Sequence, residues 1–194
     1  MSTESEVITR IENGVGRITL NRPKAIHALN RSMCEIMTEA LLAWRSDPSV
    51  SSILIDHSGE RGFCAGGDIR MIAESGAGDA SEAKAFFKAE YQLNHLMFVY
   101  PKPITAVVDG IVMGGGMGIS MHGSHRVVTP RTLGAMPEAA IGFVPDVGMS
   151  YRLTHLDVSP AVGLFIATTG WRLSPADMLY TGLGTNLVAD VNKF

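Results

Sequence analysis

Apolar and polar residues alternate with two different periods along the first quarter of the chain, and the two periods predict two kinds of element. Val7 to Glu12 and Gly16 to Leu20 are β-rich runs on either side of Asn13-Gly14, a pair typical of a hairpin turn. From Arg31 to Arg45 the apolar residues instead recur every three or four positions, which predicts an amphipathic helix with Asn30 as its N-cap. The apolar positions of this helix are Met33, Ile36, Met37, Ala40, Leu41 and Trp44.

Farther along the chain, short apolar runs alternate with segments of helical period. The runs predict strands at Ser51 to Asp56, Pro103 to Val108 and His125 to Thr129. The helical segments are Ile69 to Glu74, Glu82 to Val99, and a helix and turn within Gly170 to Leu183, and a linker-like stretch, SGAGDAS, separates the first two. Strands that alternate with helices predict an α/β fold with β–α crossovers.

Composition narrows the class of protein. The chain has 194 residues, of which 46% are hydrophobic and 18% charged, enough for a sizeable core. Its net charge of -3 gives no reason to expect a nucleic acid or an anionic membrane as a partner. The two cysteines are too few for a disulfide scaffold, no apolar run is long enough to span a membrane, and the start MSTESEVITR lacks an apolar signal core. We therefore expect a cytoplasmic protein.

Two glycine-rich segments each follow an apolar run and precede residues compatible with a helix. They are RGFCAGGDIR and GIVMGGGMGIS. Each is typical either of a tight turn or of a place where backbone N–H groups approach an anion or a developing oxyanion. Asp68 in the first segment also suits the cap of the following helix. Two such junctions could each supply one N–H donor to a single oxygen, which is the plan of an oxyanion hole.

The sequence gives less support for nucleotide binding, metal binding or a cysteine nucleophile. A nucleotide-binding loop would need an ending GKS or GKT or the spacing G-x-G-x-x-G, and neither occurs. His122 and His125 lack a third ligand at metal spacing, so no metal site is expected. Cys64 fits a nucleophile less well than a small apolar core residue.

The stretch MPEAAIGFVPDVG holds two carboxylates, Glu138 and Asp146, among apolar and turn-forming residues. Pro137, Gly142 and Pro145 make a continuous helix through the stretch improbable, so the chain can fold back and bring both acids to one cleft. The alternative is structural: Glu138 in the first turn of one helix and Asp146 capping another. An acid in an apolar pocket has a raised pKa and suits proton transfer.

Taken together in this order, NRPKAIHALN, GFCAGGDI, GIVMGGGMGIS and PEAAIGFVPDVG resemble the crotonase (enoyl-CoA hydratase/isomerase) superfamily over roughly residues 7 to 188. Within it, EYQLNHL and TGWRLSPADMLYTGL are most similar to the branch of 3-hydroxyisobutyryl-CoA hydrolases. The resemblance implies a ClpP/crotonase-like spiral of β-β-α repeats that binds acyl-CoA. It also implies valine catabolism as a setting, a homo-oligomer, and no cofactor besides the CoA of the substrate.

The resemblance further implies a catalytic core at 7–188, and residues 189–194 as the start of a C-terminal region that is truncated or not covered. The oxyanion donors it implies are the N–H groups of Ala65 and Gly115, and the loop of Ala65, Gly66, Gly67 and Asp68 would line the thioester end. It pairs Glu138 with Asp146 and adds Glu90 from the preceding helix as a substrate-binding residue. The expected reaction is hydrolysis of a short 3-hydroxyacyl-CoA, with Glu138 as general base or nucleophile.

Two departures from the superfamily patterns bear on this expectation. Hydratases place a second glutamate just after the GGG motif, where this chain has Gly118, which cannot move a proton. Hydrolases tend to read PDVGGG, where this chain has PDVGMS, so we expect Met149 and Ser150 to reshape the acyl pocket. Two alternatives stay open: an enoyl-CoA isomerase or hydratase on the same scaffold, and a non-catalytic acyl-CoA-binding subunit.

Overall fold

A computed structural model of the protein describes residues 5–191, so residues 192–194 of the predicted C-terminal region lie outside the described part. It has an α/β architecture with two sheets. The strands are β1 (Val7–Glu12), β2 (Val15–Leu20), β3 (Ser52–His57), β4 (Gly62–Cys64), β5 (Ile104–Val108), β6 (Ile111–Met113), β7 (His125–Val128), β8 (Leu133–Ala135) and β9 (Asn186–Leu187). The helices are α1 (Arg31–Arg45), α2 (Ile69–Gly76), α3 (Ser81–Phe98), α4 (Gly115–Gly118), α5 (Met149–Thr154), α6 (Pro160–Thr169) and α7 (Pro175–Tyr180). Two 3-10 turns, Pro23–Ala25 and Glu138–Ile141, complete the set.

The larger sheet has six strands in the order β1-β2-β3-β5-β7-β9. Only β1 and β2 run antiparallel, joined at Asn13-Gly14 as the hairpin prediction required, and every other pair in this sheet is parallel. The smaller sheet, β4-β6-β8, is parallel throughout. Three times in succession, a strand of the large sheet is followed by one of the small sheet and then by helical structure: β3-β4-α2, β5-β6-α4 and β7-β8 with the turn Glu138–Ile141. The predicted α/β class and its β-β-α repeats are therefore confirmed.

The helix predicted near the start of the chain, α1, forms for the reasons expected. Asn30 caps α1, because its side chain accepts a hydrogen bond from Met33 N at 2.9 Å. The apolar face of α1 packs into the core together with α3 and the inner face of the large sheet. The core is continuous, and its largest fully buried side chains are Phe63, Phe86, Ile18, Leu20, Leu29, Met33, Met37, Leu41, Ile53, Ile55, Leu93 and Met97.

The short strands of the small sheet depend on close backbone approach. A Cβ added at Gly62 would lie 2.3 Å from Ile111 N, so only glycine lets β4 come this near to β6. Because β4 and β6 are parallel neighbours, their carboxyl ends lie at the same edge of the small sheet. The two glycine-rich junctions begin there. Within residues 5–191 we find no helix with the length and apolar content needed to cross a bilayer.

Candidate active site

The two glycine-rich junctions meet at a cleft of ≈ 500 Å³. The first junction follows β4 and the second follows β6, so the parallel pairing of these strands brings them together. The lining residues come from both junctions, α2, α3 and the segment after β8: Ala65, Gly66, Gly67, Ile69, Ile72, Phe86, Phe87, Glu90, Gly114, Gly115, Pro137, Glu138, Ala140, Ile141, Gly142, Phe143, Asp146 and Val147. The walls are therefore mostly apolar, with three carboxyl groups among them. The sequence prediction that Glu138 and Asp146 reach one cleft matches this geometry.

One expected oxyanion donor is engaged elsewhere. The N–H of Ala65 donates to the carbonyl of Ile26 at 2.9 Å. Ile26 and the next residue, His27, both have positive φ in the loop that carries this carbonyl. This hydrogen bond contradicts the donor role predicted for Ala65, because the N–H is used to fasten the junction to the loop before α1.

Gly67 and Gly115 lie at this edge and line the cleft, one from each junction. Across residues 5–191, neither the N–H of Gly67 nor that of Gly115 has an acceptor. Gly115 opens α4, where the first N–H groups of a helix have no partner within the helix. The two amides are neighbours, since a Cβ added at Gly115 would lie 3.3 Å from Gly67 N.

Glu138 lies at the start of the 3-10 turn after β8 and is 8% exposed. Its Oε2 atom is buried and has no hydrogen-bond partner in the described part of the chain. Burial raises the pKa of its carboxyl from 4.5 to about 7, and the charge of Asp146 adds to the rise. A carboxyl with such a pKa exchanges its proton readily near neutral pH.

Glu90 projects from the middle of α3 toward the second junction and is 2% exposed. Its Oε1 lies where a Cβ of Gly115 would approach within 2.3 Å, and it too has no partner among the described residues. Burial raises the pKa of Glu90 to about 8, and the charges of Asp146 and Glu138 act in the same direction. Glu90 is therefore mostly protonated at pH 7 and can donate a hydrogen bond into the cleft.

Asp146 has a side-chain partner of its own. Its Oδ2 accepts a hydrogen bond of 2.6 Å from the hydroxyl of Tyr91. Burial raises the pKa of Asp146, while this hydrogen bond opposes the rise. The backbone carbonyl of Asp146 receives Met149 N at the start of α5, but the N-cap residue there is Gly148. The carboxylate is thus turned to Tyr91 and the cleft, and the alternative in which it caps a helix does not describe the structure.

A second cavity of ≈ 520 Å³ adjoins the cleft and shares Asp146 and Val147 with it. Its other lining residues are Tyr91, Asn94, His95, Phe98, His122, Gly148, Ser150 and Tyr151. Asn94, one helical turn after Glu90, is 4% exposed, and within 5–191 neither end of its amide has a hydrogen-bond partner.

Gly118 is tightly enclosed. A Cβ at this position would lie 2.5 Å from Val147 Cβ and 3.0 Å from Asn94 Nδ2. Real Cβ atoms do not approach other atoms so closely, so the packing here requires glycine. The packing around position 118 therefore excludes a glutamate side chain there.

The remaining candidates from the sequence have structural roles. Asp68 caps α2 through Met71 N, and its carboxylate pairs with Arg22 at 3.0 Å beside the cleft. Cys64 is buried, its thiol donates to the carbonyl of His27, and burial raises its pKa to about 12, so the core role expected for it is confirmed. His122 Nε2 donates to the carbonyl of Val147 at 2.7 Å, whereas His125 is exposed at the start of β7.

Tyr91 and Asn94 are site residues that sequence reasoning missed. Both belong to EYQLNHL, which entered the analysis only as a mark of resemblance. The spacing held a signal, since Asn94 follows Glu90 by four residues and therefore shares its helix face. Tyr91 gave no such signal, because its partner Asp146 lies 55 residues away.

Comparison with known proteins places this geometry in context. A family model described as Enoyl-CoA hydratase/isomerase matches residues 15–193. The chain is 43% identical over 184 residues to the mitochondrial 3-hydroxyisobutyryl-CoA hydrolase of Gallus gallus. This match covers 95% of this chain and 47% of the relative. It is 40% identical over 189 residues to 3-hydroxyisobutyryl-CoA hydrolase 1 of Arabidopsis thaliana, covering 97% of this chain and 49% of the relative. The chain thus spans about half the length of the curated relatives it matches.

Solved structures share the fold. A carnitinyl-CoA dehydratase from Mycobacterium thermoresistibile superposes with a TM-score of 0.92 at 46% identity, over 96% of this chain and 54% of that one. An enoyl-CoA hydratase from Rhodobacter sphaeroides gives a TM-score of 0.91 at 38% identity, over 97% and 56% of the two chains. The names of these similar proteins include hydrolases, a dehydratase and a hydratase, so the reaction has to be argued from the site.

Proposed function

The chain belongs to the enoyl-CoA hydratase/isomerase family, and from this we propose that it hydrolyses the thioester of a short 3-hydroxyacyl-CoA such as 3-hydroxyisobutyryl-CoA. One observation carries the proposal: Gly67 and Gly115, whose neighbouring N–H groups have no acceptor within residues 5–191, line a largely apolar cleft that also holds three carboxyl groups. The names of relatives that are 40–43% identical support the same reaction.

In this proposal the thioester oxygen accepts hydrogen bonds from the N–H groups of Gly67 and Gly115. Attack at the carbonyl carbon moves negative charge onto that oxygen, so the two bonds strengthen as the reaction proceeds. Gly67 takes the place first expected for Ala65, because its N–H has no acceptor in the described part of the chain and lies beside Gly115, while that of Ala65 is bound to Ile26.

Glu138 delivers water to the carbonyl carbon. As its carboxylate, it takes a proton from the attacking water; the C–S bond then breaks, and the proton passes to the departing CoA thiolate. Its pKa of about 7 suits both transfers. Direct attack by Glu138 to form a mixed anhydride, followed by hydrolysis, gives the same products, and transfer of ¹⁸O from labelled water into the carboxyl of Glu138 would identify that route.

Glu90 and Asp146 act on the acyl group. Glu90 is protonated at neutral pH and can donate a hydrogen bond, whereas Asp146 is an acceptor. A 3-hydroxyl group both donates and accepts hydrogen bonds, so this pair suits it.

Water addition across a double bond fits the site less well. The hydratases of this family are expected to use a second glutamate at the position of Gly118, and the contacts of Val147 and Asn94 leave no room for a side chain there. Hydration or dehydration is nevertheless the reaction named for the two similar solved structures, so it is the rival to test.

The experiment measures release of free thiol from 3-hydroxyisobutyryl-CoA by the protein and by Glu138→Gln and Asp146→Asn variants. We expect turnover in the protein and losses in both variants that are not additive in the double variant. Glu39→Gln, an exposed change on α1, is the control. Normal turnover in both acid variants would remove these residues from the mechanism. Loss of crotonyl-CoA absorbance without thiol release would favour a hydratase, and tight binding without turnover of either ester would favour a binding subunit.

A second experiment tests whether Gly67 or Ala65 supplies the N–H donor from the first junction. Replacing Gly67 by glycolic acid exchanges its N–H for an ester oxygen, and replacing Ala65 by lactic acid does the same there. We expect the first to lower kcat by about 100-fold or more and the second to act mainly on stability. The opposite result would restore the donor role to Ala65.

Three further features of the protein belong to the proposal. Residues 7–188 form the acyl-CoA-binding core. The chain self-associates. Large apolar side chains left exposed around α6 and α7 support this, namely Leu164, Phe165, Trp171 and Tyr180. Light scattering would measure the association.

Relatives named mitochondrial weigh against the cytoplasmic location expected from the sequence, and a fluorescent fusion in the native cells would decide between the compartments.

A further inference from the structure

The segment that presents Asp146 has an unusual backbone. Val147 has a φ of 46°, which is rare for a β-branched residue, and Gly148 follows with a φ of 78°. Such a conformation costs free energy and persists only where surrounding contacts impose it. The contacts that hold Asp146 and Val147 therefore define where the carboxylate points.

Two side chains from other elements provide these contacts. Tyr91 on α3 donates its hydroxyl to Asp146 Oδ2 at 2.6 Å. His122, in the loop after α4, donates Nε2–H to the carbonyl of Val147 at 2.7 Å. One contact fixes the carboxylate and the other fixes the backbone directly after it.

The position they fix is the boundary between the two cavities. Asp146 and Val147 are the residues that line both the cleft and the adjoining cavity. A rotation of the Asp146 side chain away from the cleft would turn it toward the second cavity, where it would no longer face Glu138 and Glu90.

We propose that Tyr91 and His122 are positioning residues that hold Asp146 toward the acyl group, Tyr91 through its hydroxyl and His122 through the carbonyl of Val147. The inference rests on the proposed function, because it assigns Asp146 a part in the reaction. Neither Tyr91 nor His122 needs to touch the thioester.

Electrostatics around Asp146 agree with this role. Asp146 lines the cleft together with the carboxyls of Glu90 and Glu138, and it lines the adjoining cavity together with Tyr91, His95 and His122. Burial raises the pKa of Asp146, and among these groups the Tyr91 hydroxyl lowers it. Removing that hydroxyl should therefore raise the pKa of Asp146 further.

The test compares Tyr91→Phe with Tyr100→Phe. Both changes delete one hydroxyl and one short hydrogen bond, but the Tyr100 hydroxyl donates to the carbonyl of Leu41 at 2.7 Å, away from the cleft. We expect Tyr91→Phe to lower kcat by about 10-fold to 100-fold, the range for a lost hydrogen bond to a charged group, with KM little changed. Tyr100→Phe should keep the kcat and KM of the unaltered protein.

His122 is tested with a conservative pair. His122→Leu removes the donor to Val147, and His122→Gln keeps an N–H at nearly the same reach. The glutamine variant should recover at least about half of the kcat lost in the leucine variant, which a general packing defect would not allow. Equal losses in the two variants would overturn the role of His122.

A measurement that needs no turnover completes the test. Carboxyl ¹³C NMR of Asp146 across a pH series should show a higher pKa in Tyr91→Phe than in the unaltered protein or in Tyr100→Phe. An unchanged pKa together with unchanged kcat overturns the inference. If the unaltered protein releases no thiol, the proposed function fails, and the NMR titration still decides whether Tyr91 controls Asp146.

Discussion

Replacing Glu90 by glutamine should make the protein more stable, and the gain should grow with pH. Glu90 is 2% exposed, and Oε1 has no partner among the described residues. Its pKa is raised from 4.5 to about 8, mainly by burial. Unfolding therefore lets the carboxyl ionise, and this favours the unfolded state at any pH above 4.5.

The size of the effect follows from these pKa values. Below pH 4.5 the carboxyl is protonated in both states and contributes no difference. Between pH 4.5 and about 8, the unfolded state loses the proton while the folded state keeps it, so the folded protein loses about 1.4 kcal/mol per pH unit relative to the glutamine variant. The gain from Glu90→Gln should reach about 3 kcal/mol at pH 7 and level off above pH 8.

The assay is urea unfolding of both proteins at several pH values from 4 to 9. Glu39→Gln, which removes an exposed carboxylate from α1, is the control and should change stability by no more than about 0.5 kcal/mol. The glutamine amide can add a constant penalty, so the slope with pH is the diagnostic quantity. A difference between Glu90→Gln and the unaltered protein that does not vary with pH would refute the reasoning, because it would mean that Glu90 is ionised in the folded protein. We also expect the stabilised variant to lose turnover, since a buried acid kept at a stability cost is typical of an active site.

Three other changes test separate parts of the structure. Glu138→Gln should lower kcat by about 100-fold or more, and in the unaltered protein kcat/KM should fall as the pH drops below about 7, because a general base must be ionised to accept a proton; a flat pH profile would contradict this. Gly118→Ala should destabilise the protein by about 1–3 kcal/mol in denaturant unfolding, because its Cβ would lie 2.5 Å from Val147 Cβ; unchanged stability would show that the contact relaxes freely. Asn30→Ala should cost about 1 kcal/mol through loss of its bond to Met33 N while kcat stays unchanged, as thermal unfolding and thiol release would show.

Much of the fold follows from periodicity in the sequence. The bounds predicted for α1 agree with the structure, and those for α3, β3 and β5 differ by one residue at one or both ends. These elements each bury one face over at least five residues, so their pattern is strong. The strands β4, β6 and β8 have three residues each, too few to show a period, and they form through close backbone approach at positions such as Gly62.

Helices α5 and α6 escaped prediction for a different reason. Helix α6, PAVGLFIATT, is apolar around its whole circumference, so it has no polar face to set a helical period. Its Gly163 also lies against the backbone of α5, where a Cβ would meet the carbonyl oxygen of Leu153 at 1.8 Å. Packing between the two helices therefore depends on a glycine that the sequence alone reads as a helix breaker.

Prediction of the site from the sequence meets a similar limit. The motifs identified the two loops and the acids that line the cleft, because chemistry-bearing residues stand out in an apolar stretch. They could not tell that the N–H of Ala65 is already bonded, since this depends on the carbonyl of Ile26, which lies 39 residues before Ala65. Hydrogen bonds between distant loops decide such questions, and residue types do not record them.

The tight enclosure of Gly118 also bears on how one reaction could evolve into another on this scaffold. An acid at position 118 would need the volume that Val147 occupies, and Val147 directly follows Asp146. A lineage that gained the glutamate first would pass through a poorly folded intermediate, whereas one that first shrank Val147 would loosen the neighbouring carboxylate and weaken the proposed hydrolysis. The order of substitutions is thus constrained, and interconversion of the two chemistries requires an epistatic pair rather than a single change.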